Sequence, residues 1–203
     1  MTIISPVADA PSVVPVIRAA ERRYSHVLQL RLAAPRAGIM LHYDDSRGDD
    51  RALDWFADAR CRNGYTWLVL RSGRVIELAD PGMRTQHAGP CITPQANSVY
   101  YGIAAATDGL VPATDAQLAS IVDVCREVFR QHRWLAASVE TRIVGHDKQA
   151  VWTAAYTRNR TLWGKLGRKA DPTGIRKDGR PIIDTDVVRR MVARQQEASC
   201  SQE

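Results

Sequence analysis

Long apolar segments are absent from the sequence. The apolar stretches, such as residues 37–41 and 67–70, are far shorter than the roughly 20 residues that a membrane-spanning helix needs. Residues 1–16 contain three prolines and no Lys or Arg, so they lack the basic and apolar blocks of a secretory signal. We therefore expect no membrane span and a chain that is made in the cytoplasm.

Cysteine is scarce and widely spaced. None of the cysteines forms a C-x-x-C pair, and they lie at Cys61, Cys91, Cys125 and Cys200. This spacing argues against a zinc cluster of thiolates and against a dense disulfide framework. We interpret most of these residues as small apolar side chains.

The motifs of several enzyme classes are also missing. The sequence contains no G-x-S-x-G, no G-x-x-x-x-G-K-[ST], no H-E-x-x-H and no G-x-G-x-x-G. These motifs are typical of serine hydrolases with a nucleophile elbow, of P-loop proteins, of one group of zinc proteases and of dinucleotide-binding enzymes. Those classes are therefore not favoured.

The composition is that of one globular domain. At 203 residues and 45% hydrophobic, the chain is long enough to bury a substantial core and fits one domain better than two. The formal net charge of +6 favours an acidic partner, and nucleic acid, an anionic wall polymer and a membrane surface all qualify. Charge alone does not choose among them.

Strand-like and helix-like segments alternate along the chain, which indicates an α/β sheet. Strands are predicted at residues 37–43, 65–70, 74–78, 98–106 and 141–144. The Arg71-Ser72-Gly73 segment predicts a hairpin between the second and third strands, because Gly73 tolerates the positive φ of the turn.

Helical spacing of apolar residues predicts three helices, at residues 51–60, 114–132 and 184–194. We expect Ser46 or Asp49 to cap the first helix. For the second, Thr114 and Gln117 have the spacing of a capping box.

Two histidines follow apolar strands: His42 comes after G-I-M-L, and His146 comes after R-I-V-G. Further along, Asp171 precedes Pro172. Zinc in hydrolases is typically held by three side chains of the His, Asp, Glu and Cys set, with a fourth position for water. A single histidine at a strand end is more often structural than a ligand, so the three residues need a further link.

A family resemblance supplies that link. In order, the chain contains GIMLHYDDS, NGYTWLVLRSGRVIEL, QHAG, NSVYYGIAAA, IVGHDK and RKADPTG. This series resembles the type 2 N-acetylmuramoyl-L-alanine amidases, a superfamily that also contains the phage lysozyme-type amidases and the peptidoglycan recognition proteins. The resemblance runs over residues 37–174, which is most of the chain.

The resemblance implies roles for particular residues. It implies that Zn²⁺ is bound by His42, His146 and Asp171. It also implies that Lys169 stabilises the developing oxyanion and that Tyr65 lies beside the metal. His87, in QHAG, matches a segment that lines the substrate groove in the family.

The sequence departs from the family in two places. Many members have a Glu after the G-I of the central strand, but here Gly102-Ile103 is followed by Ala104. The phage lysozyme-type members also lack this carboxylate, so the departure favours that subgroup. After His42, acidic residues replace the usual small hydroxyl residue.

The connection between His146 and Lys169 is longer than is usual in the family and contains Trp152, Tyr156 and Trp163 among basic residues. Aromatic faces stack on sugars and basic groups meet carboxylates, so Trp152 and Trp163 are candidate substrate-binding residues. An extra helix with its aromatic side chains buried is an equally good interpretation.

Together these patterns predict an amidase-like single α/β domain at residues 31–195, with a mixed central β-sheet flanked by helices. Residues 1–30 are expected to form an N-terminal extension packed on this domain, and residues 196–203 a disordered polar tail. The expected protein is a monomer with one Zn²⁺.

The expected activity is hydrolysis of the amide between N-acetylmuramic acid and L-alanine in peptidoglycan, with muropeptide as substrate and without nucleic acid as a partner. A phage or prophage endolysin, released to the periplasmic cell wall by a holin, is the favoured role. A cytoplasmic wall-recycling amidase and a non-catalytic peptidoglycan-binding module are the alternatives.

Overall fold

The computed structural model describes residues 17–18, 33–58, 60–61, 63–150, 171–172 and 180–200. Within these residues the strands are β1 (Ile17–Arg18), β2 (Gly38–Tyr43), β3 (Trp67–Val69), β4 (Val75–Glu77), β5 (Tyr100–Ala105) and β6 (Ile143–Gly145). The helices are α1 (Asp49–Ala57), α2 (Ala96–Val99), α3 (Asp115–His132), α4 (Val139–Arg142), α5 (His146–Gln149) and α6 (Thr185–Cys200), and a 3₁₀ turn spans Ala136–Ser138.

The described strands form a single sheet in the order β1-β4-β3-β5-β2-β6. β3 and β4 are antiparallel, and all other neighbours are parallel. The predicted mixed central sheet is therefore confirmed. Because β2, β5 and β6 run in one direction, their carboxyl ends lie at the same edge of the sheet.

Both faces of the sheet are covered by apolar packing. On one face, Ile39, Leu41 and Ile103 belong to a buried cluster that includes side chains of α3 and α6. On the other face, Leu68 packs with Phe56 and other apolar side chains of α1. Burial of one such large side chain contributes about 1.5–3 kcal/mol. Two-sided burial explains why the central strands are continuously apolar rather than alternating.

Two local predictions from the sequence are confirmed. β3 and β4 form a hairpin, and Gly73 in its turn has a φ of 85°, in the region that favours glycine. α3 begins with the predicted capping box. The Thr114 hydroxyl accepts a hydrogen bond from the Gln117 backbone N–H, and the Gln117 side-chain oxygen accepts one from the Thr114 N–H, each at 3.0 Å.

The predicted cap of the first helix is wrong. The N-cap residue of α1 is Gly48, and no side chain caps the helix. Instead, the Asp49 carboxylate accepts a hydrogen bond from the Arg71 backbone N–H at 2.7 Å. The Asp49 side chain, which the local pattern predicted as a cap, therefore binds the β3–β4 turn, a segment distant in sequence.

Some predicted element boundaries are also wrong. Ser98 and Val99 belong to α2 and not to the strand predicted at residues 98–106. Thr141 belongs to α4, where its hydroxyl donates to the Ser138 carbonyl at 3.0 Å, so β6 begins only at Ile143. The terminal helix continues to Cys200, well past its predicted end at Arg194 and into the tail that was expected to be disordered. Residues 185–200 contain no Gly or Pro to interrupt the helix.

At the other end of the chain, β1 lies within the predicted N-terminal extension and pairs with β4. The domain boundaries at residues 30 and 195 remain predictions. No helix in the part of the chain that the structure describes combines the length and the apolar character needed to cross a membrane.

Candidate metal site

His42 and His146 meet at the carboxyl edge of the sheet. Leu41 of β2 pairs with Gly145 of β6 in parallel register, and each histidine is the next residue after this pair. The two imidazole rings lie 4.6 Å apart between centroids, and both are buried. Strand pairing thus brings together two side chains that are far apart in the sequence.

Asp171 completes the group. Its Oδ2 lies 2.9 Å from His42 Nδ1 and 3.0 Å from His146 Nδ1. Its Oδ1 accepts a hydrogen bond from the Tyr43 backbone N–H at 2.7 Å. One potential ligand atom from each of His42, His146 and Asp171 lies within 4.8 Å of the others. This is the set of three residues that the resemblance implied as metal ligands.

The charge of Asp171 suits a cation. Burial by itself raises the pKa of the Asp171 carboxyl, but the neighbouring His42 and His146 imidazoles outweigh it, so the pKa lies below its usual range. The carboxyl group is therefore ionised at neutral pH. A buried carboxylate of this kind needs a positive partner, either protonated imidazole or a metal ion.

The donor set fits zinc. Two imidazole nitrogens and one carboxylate oxygen are the ligand types that zinc accepts in catalytic sites, where three protein ligands leave one position open. Zinc, copper and nickel all accept imidazole ligands, so this donor set is a candidate metal site and does not fix the identity of an ion.

Tyr65 lies beside His42, one of the candidate metal ligands. Its ring centroid is 5.0 Å from that of His42, and its hydroxyl donates to the Tyr43 carbonyl at 3.4 Å. Burial raises the pKa of the Tyr65 phenol well above its usual range, and the negative charges of Asp171, Asp44 and Asp45 raise it further. The phenol therefore keeps its proton and remains a hydrogen-bond donor.

His87 is buried behind His42. His87 Nδ1 lies 3.0 Å from His42 Nε2, and His87 Nε2 lies 3.1 Å from the Tyr100 carbonyl oxygen. Burial lowers the pKa of His87 well below its usual range, and the neighbouring His42 and His146 lower it further. Both ring nitrogens of His87 thus contact protein atoms. The family resemblance indicated a residue that lines the substrate groove and did not indicate these contacts.

Ala104 stands beside His42 in the register of β2 and β5. It is fully buried and packs in the apolar cluster with Leu68 and Phe56. The position after Gly102-Ile103 therefore holds a methyl group within an apolar cluster, and supplies no carboxylate.

Asp44 directly follows β2. It has a structural role that the sequence did not predict. Its Oδ1 accepts hydrogen bonds from the backbone N–H groups of Ser46 and Thr107, at 3.2 and 2.9 Å. The carboxylate thereby ties the loop after β2 to the end of β5. Burial raises the pKa of Asp44 to about 6.

Three predicted site residues, Lys169, Trp152 and Trp163, lie outside the described residues. The roles assigned to them from the sequence remain predictions.

Fold and site together define an α/β domain in which two histidines and one aspartate, a candidate set of metal ligands, are buried at the carboxyl edge of a mixed sheet. The sequence model of the N-acetylmuramoyl-L-alanine amidases matches residues 33–174, well over half of the chain, and the chain belongs to this family. The predicted family is confirmed. A search of the curated proteins finds no match.

Solved structures give the same fold. A selenomethionine derivative of AmpD is similar with a TM-score of 0.57 and 17% identity, covering 92% of this chain and 99% of its own. The Ph2119 endolysin from Thermus scotoductus MAT2119 bacteriophage Ph2119 has a TM-score of 0.50 and 15% identity, covering 87% and 98%. PlyL has a TM-score of 0.51 and 9% identity, covering 74% and 91%. At such identities the similarity describes the fold alone.

Proposed function

We propose that the protein hydrolyses the amide bond between N-acetylmuramic acid and L-alanine in bacterial peptidoglycan, with one Zn²⁺ held by His42, His146 and Asp171. One observation carries the proposal: the donor atoms of these three residues converge at a buried site inside the segment that matches the amidase family. We propose zinc as the metal, and the lactyl amide as the bond that is cut, on the basis of this family membership.

The chemistry divides between the ion and the chain. When bound, zinc acidifies a water molecule and polarises the amide carbonyl. Asp171 contributes the negative charge that holds a cation against two neutral imidazoles, and its position is set by the Tyr43 N–H. Tyr65 keeps a protonated hydroxyl beside His42. We propose that its O–H turns from the Tyr43 carbonyl, a long contact of 3.4 Å, to donate to the developing oxyanion.

The remaining catalytic and binding roles are proposed from the family pattern. Lys169 would bring an ammonium group to the same oxyanion. Trp152 and Trp163 would stack on the sugar or peptide of the muropeptide, unless they form the buried side of an extra helix. We also propose that the protein is monomeric and has no nucleic-acid partner.

For the biological role we propose a phage or prophage endolysin that is made in the cytoplasm and reaches the wall in the periplasm through a holin. Ala104 supports this choice, because the phage lysozyme-type members also lack a carboxylate at that position. A cytoplasmic wall-recycling amidase is the alternative. The endolysin and AmpD structures do not decide between them, since both likenesses concern the fold.

A second candidate function also rests on Ala104. An apolar residue where many members have a Glu beside the metal is expected in a peptidoglycan-binding module that does not catalyse. Three intact potential metal ligands favour the enzyme over this module.

Digestion of purified peptidoglycan with the zinc-loaded protein tests the proposal. We expect new amino termini of L-alanine and no new reducing sugar ends. A metal-activated water attacks the amide carbonyl, whereas cleavage of a glycosidic bond typically needs a pair of carboxyl groups that flank that bond. Asp171→Asn, which removes the charge of one ligand, serves as the inactive control. New reducing ends would identify a different hydrolase, and muropeptide binding without any product would identify the non-catalytic module.

A further inference from the structure

A chain of polar contacts runs from the backbone to the metal site. The Tyr100 carbonyl oxygen lies 3.1 Å from His87 Nε2, and His87 Nδ1 lies 3.0 Å from His42 Nε2. On its other side, His42 Nδ1 lies 2.9 Å from Asp171 Oδ2. Both rings and the carboxyl group are buried, so each contact is made without competition from bulk water.

The carbonyl at one end determines where the protons lie. A carbonyl oxygen only accepts hydrogen bonds, so the proton of His87 lies on Nε2. Nδ1 of His87 then accepts, and the proton at the 3.0 Å contact belongs to Nε2 of His42. With that proton in place, Nδ1 of a neutral His42 presents a lone pair towards Asp171 Oδ2. A lone pair and a carboxylate oxygen at 2.9 Å repel each other unless a cation lies between them.

His87 is itself held in place from two sides. Its backbone N–H donates to the Asn97 side-chain oxygen at 2.9 Å, and the neighbouring Ala88 N–H donates to the same atom at 2.8 Å. On the sheet side the ring packs over Gly102, where an added Cβ would lie only 2.7 Å from His87 Cγ. Only glycine at position 102 leaves room for the ring in this orientation.

We propose that His87 is a positioning residue, which fixes the ring orientation and the tautomer of His42 so that Nδ1 is the nitrogen offered to the metal. This inference rests on the proposed function, in which His42 is a zinc ligand. It replaces the groove-lining role suggested by the family pattern. Metal-bound histidines usually donate their second N–H to a carboxylate or a backbone carbonyl; here a second histidine accepts it and is oriented by a carbonyl in turn.

Zinc affinity of three variants tests the proposal. His87→Ala removes the acceptor, whereas His87→Asn retains an acceptor oxygen near the position of Nδ1. His132→Ala is the control, because His132 bonds to Tyr101 and stacks on Trp134 and has no contact with the metal residues among those described. We expect His87→Ala to weaken zinc binding about 10- to 100-fold, His87→Asn to recover most of the loss, and the control to bind as the wild type does.

Spectroscopy separates positioning from general damage to the fold. With Co²⁺ in place of zinc, His87→Ala should change the visible absorption spectrum, while His87→Asn and His132→Ala should leave it close to that of the wild type. Gly102→Ala displaces the same ring from the opposite side, and should reproduce the His87→Ala effect with His87 still present. Folded His87→Ala protein that binds zinc within about threefold of the wild type would overturn the proposal.

Nitrogen-15 NMR of the zinc-loaded wild type gives a test that needs no variant. We expect His87 and His42 to be neutral rings that are protonated at Nε2. Observation of either ring protonated at Nδ1 would refute the proposed positioning role of His87. Tight zinc binding and the expected tautomers without wall hydrolysis would refute only the proposed activity. A wild type that does not bind zinc would refute both.

Discussion

The backbone N–H of Tyr43 donates a 2.7 Å hydrogen bond to Oδ1 of Asp171. This bond joins a strand of the central sheet to a residue that lies far away in the sequence. It also distinguishes the two carboxylate oxygens, because Oδ1 is engaged by β2 while Oδ2 faces His42 and His146. We therefore expect the proposed metal ion to be bound through Oδ2 alone.

The first prediction concerns the three proposed ligands. His42→Ala, His146→Ala and Asp171→Ala should each abolish tight zinc binding, because two remaining ligands compete poorly with water for the ion. Zinc content after dialysis against a weak chelator measures the effect, with His132→Ala as the control. Stoichiometric zinc in all three variants would show that the ion is bound elsewhere.

The second prediction concerns Lys169. If its ammonium group meets the oxyanion mainly in the transition state, Lys169→Ala should lower kcat on the order of 10²-fold or more and leave muropeptide affinity and zinc content nearly unchanged. The neighbouring Arg168→Ala is a matched control for the loss of one positive charge. Weakened affinity with intact turnover would instead assign Lys169 to ground-state binding.

The third prediction concerns stability at the end of the sheet opposite to the candidate metal site. The Arg36 guanidinium donates to the carbonyls of Ser98 and Tyr100, at 3.1 and 2.6 Å, and lies 4.3 Å from the Tyr101 ring centroid. Arg36→Lys cannot reproduce this forked set of bonds, so it should lower the free energy of unfolding by about 2–4 kcal/mol.

Urea denaturation measures this loss. Arg47→Lys is the control, since Arg47 is mostly exposed and lies 3.8 Å from its partner Asp108, and it should change stability by less than about 0.5 kcal/mol. Equal effects of the two substitutions would contradict the structural role of Arg36.

The fourth prediction concerns pH. Partial burial lowers the pKa of His132, and the nearby Arg142 and Arg36 charges lower it further. The Tyr101 hydroxyl can donate to its neutral Nε2 at 2.8 Å. As the pH falls, His132 is therefore protonated in the unfolded chain before it is protonated in the folded protein. The stability due to neutral His132 is present above its unfolded pKa and is lost as the pH falls below that pKa.

Comparison of wild type with His132→Gln isolates this contribution from that of the other histidines. The stability advantage of the wild type over His132→Gln should shrink between pH 7.5 and pH 5.5, as measured by urea denaturation at several pH values. An advantage that grows on acidification would mean that folding favours the charged ring.

Several features of the molecule could be predicted from local sequence. Apolar runs that end in histidine predicted strands that deliver His42 and His146 to an edge. The Thr114 capping box and the Gly73 turn were also predicted correctly, because both depend on residues close together in the chain. The prediction that Asp171 is the third metal ligand came from the family resemblance, since nothing in the residue spacing links Asp171 to the two histidines.

Only the tertiary structure decided what depends on contacts between distant segments. The pairing of β2 with β6 brings His42 to His146. The hydrogen bond that the Arg71 N–H donates to Asp49 replaces the expected helix cap. The contact of His87 with His42 needs a loop to fold over Gly102, where the absence of a side chain makes room for the ring. Sequence pattern reports the periodicity and turn chemistry of single segments, whereas side-chain partners are selected by the packing of the whole sheet.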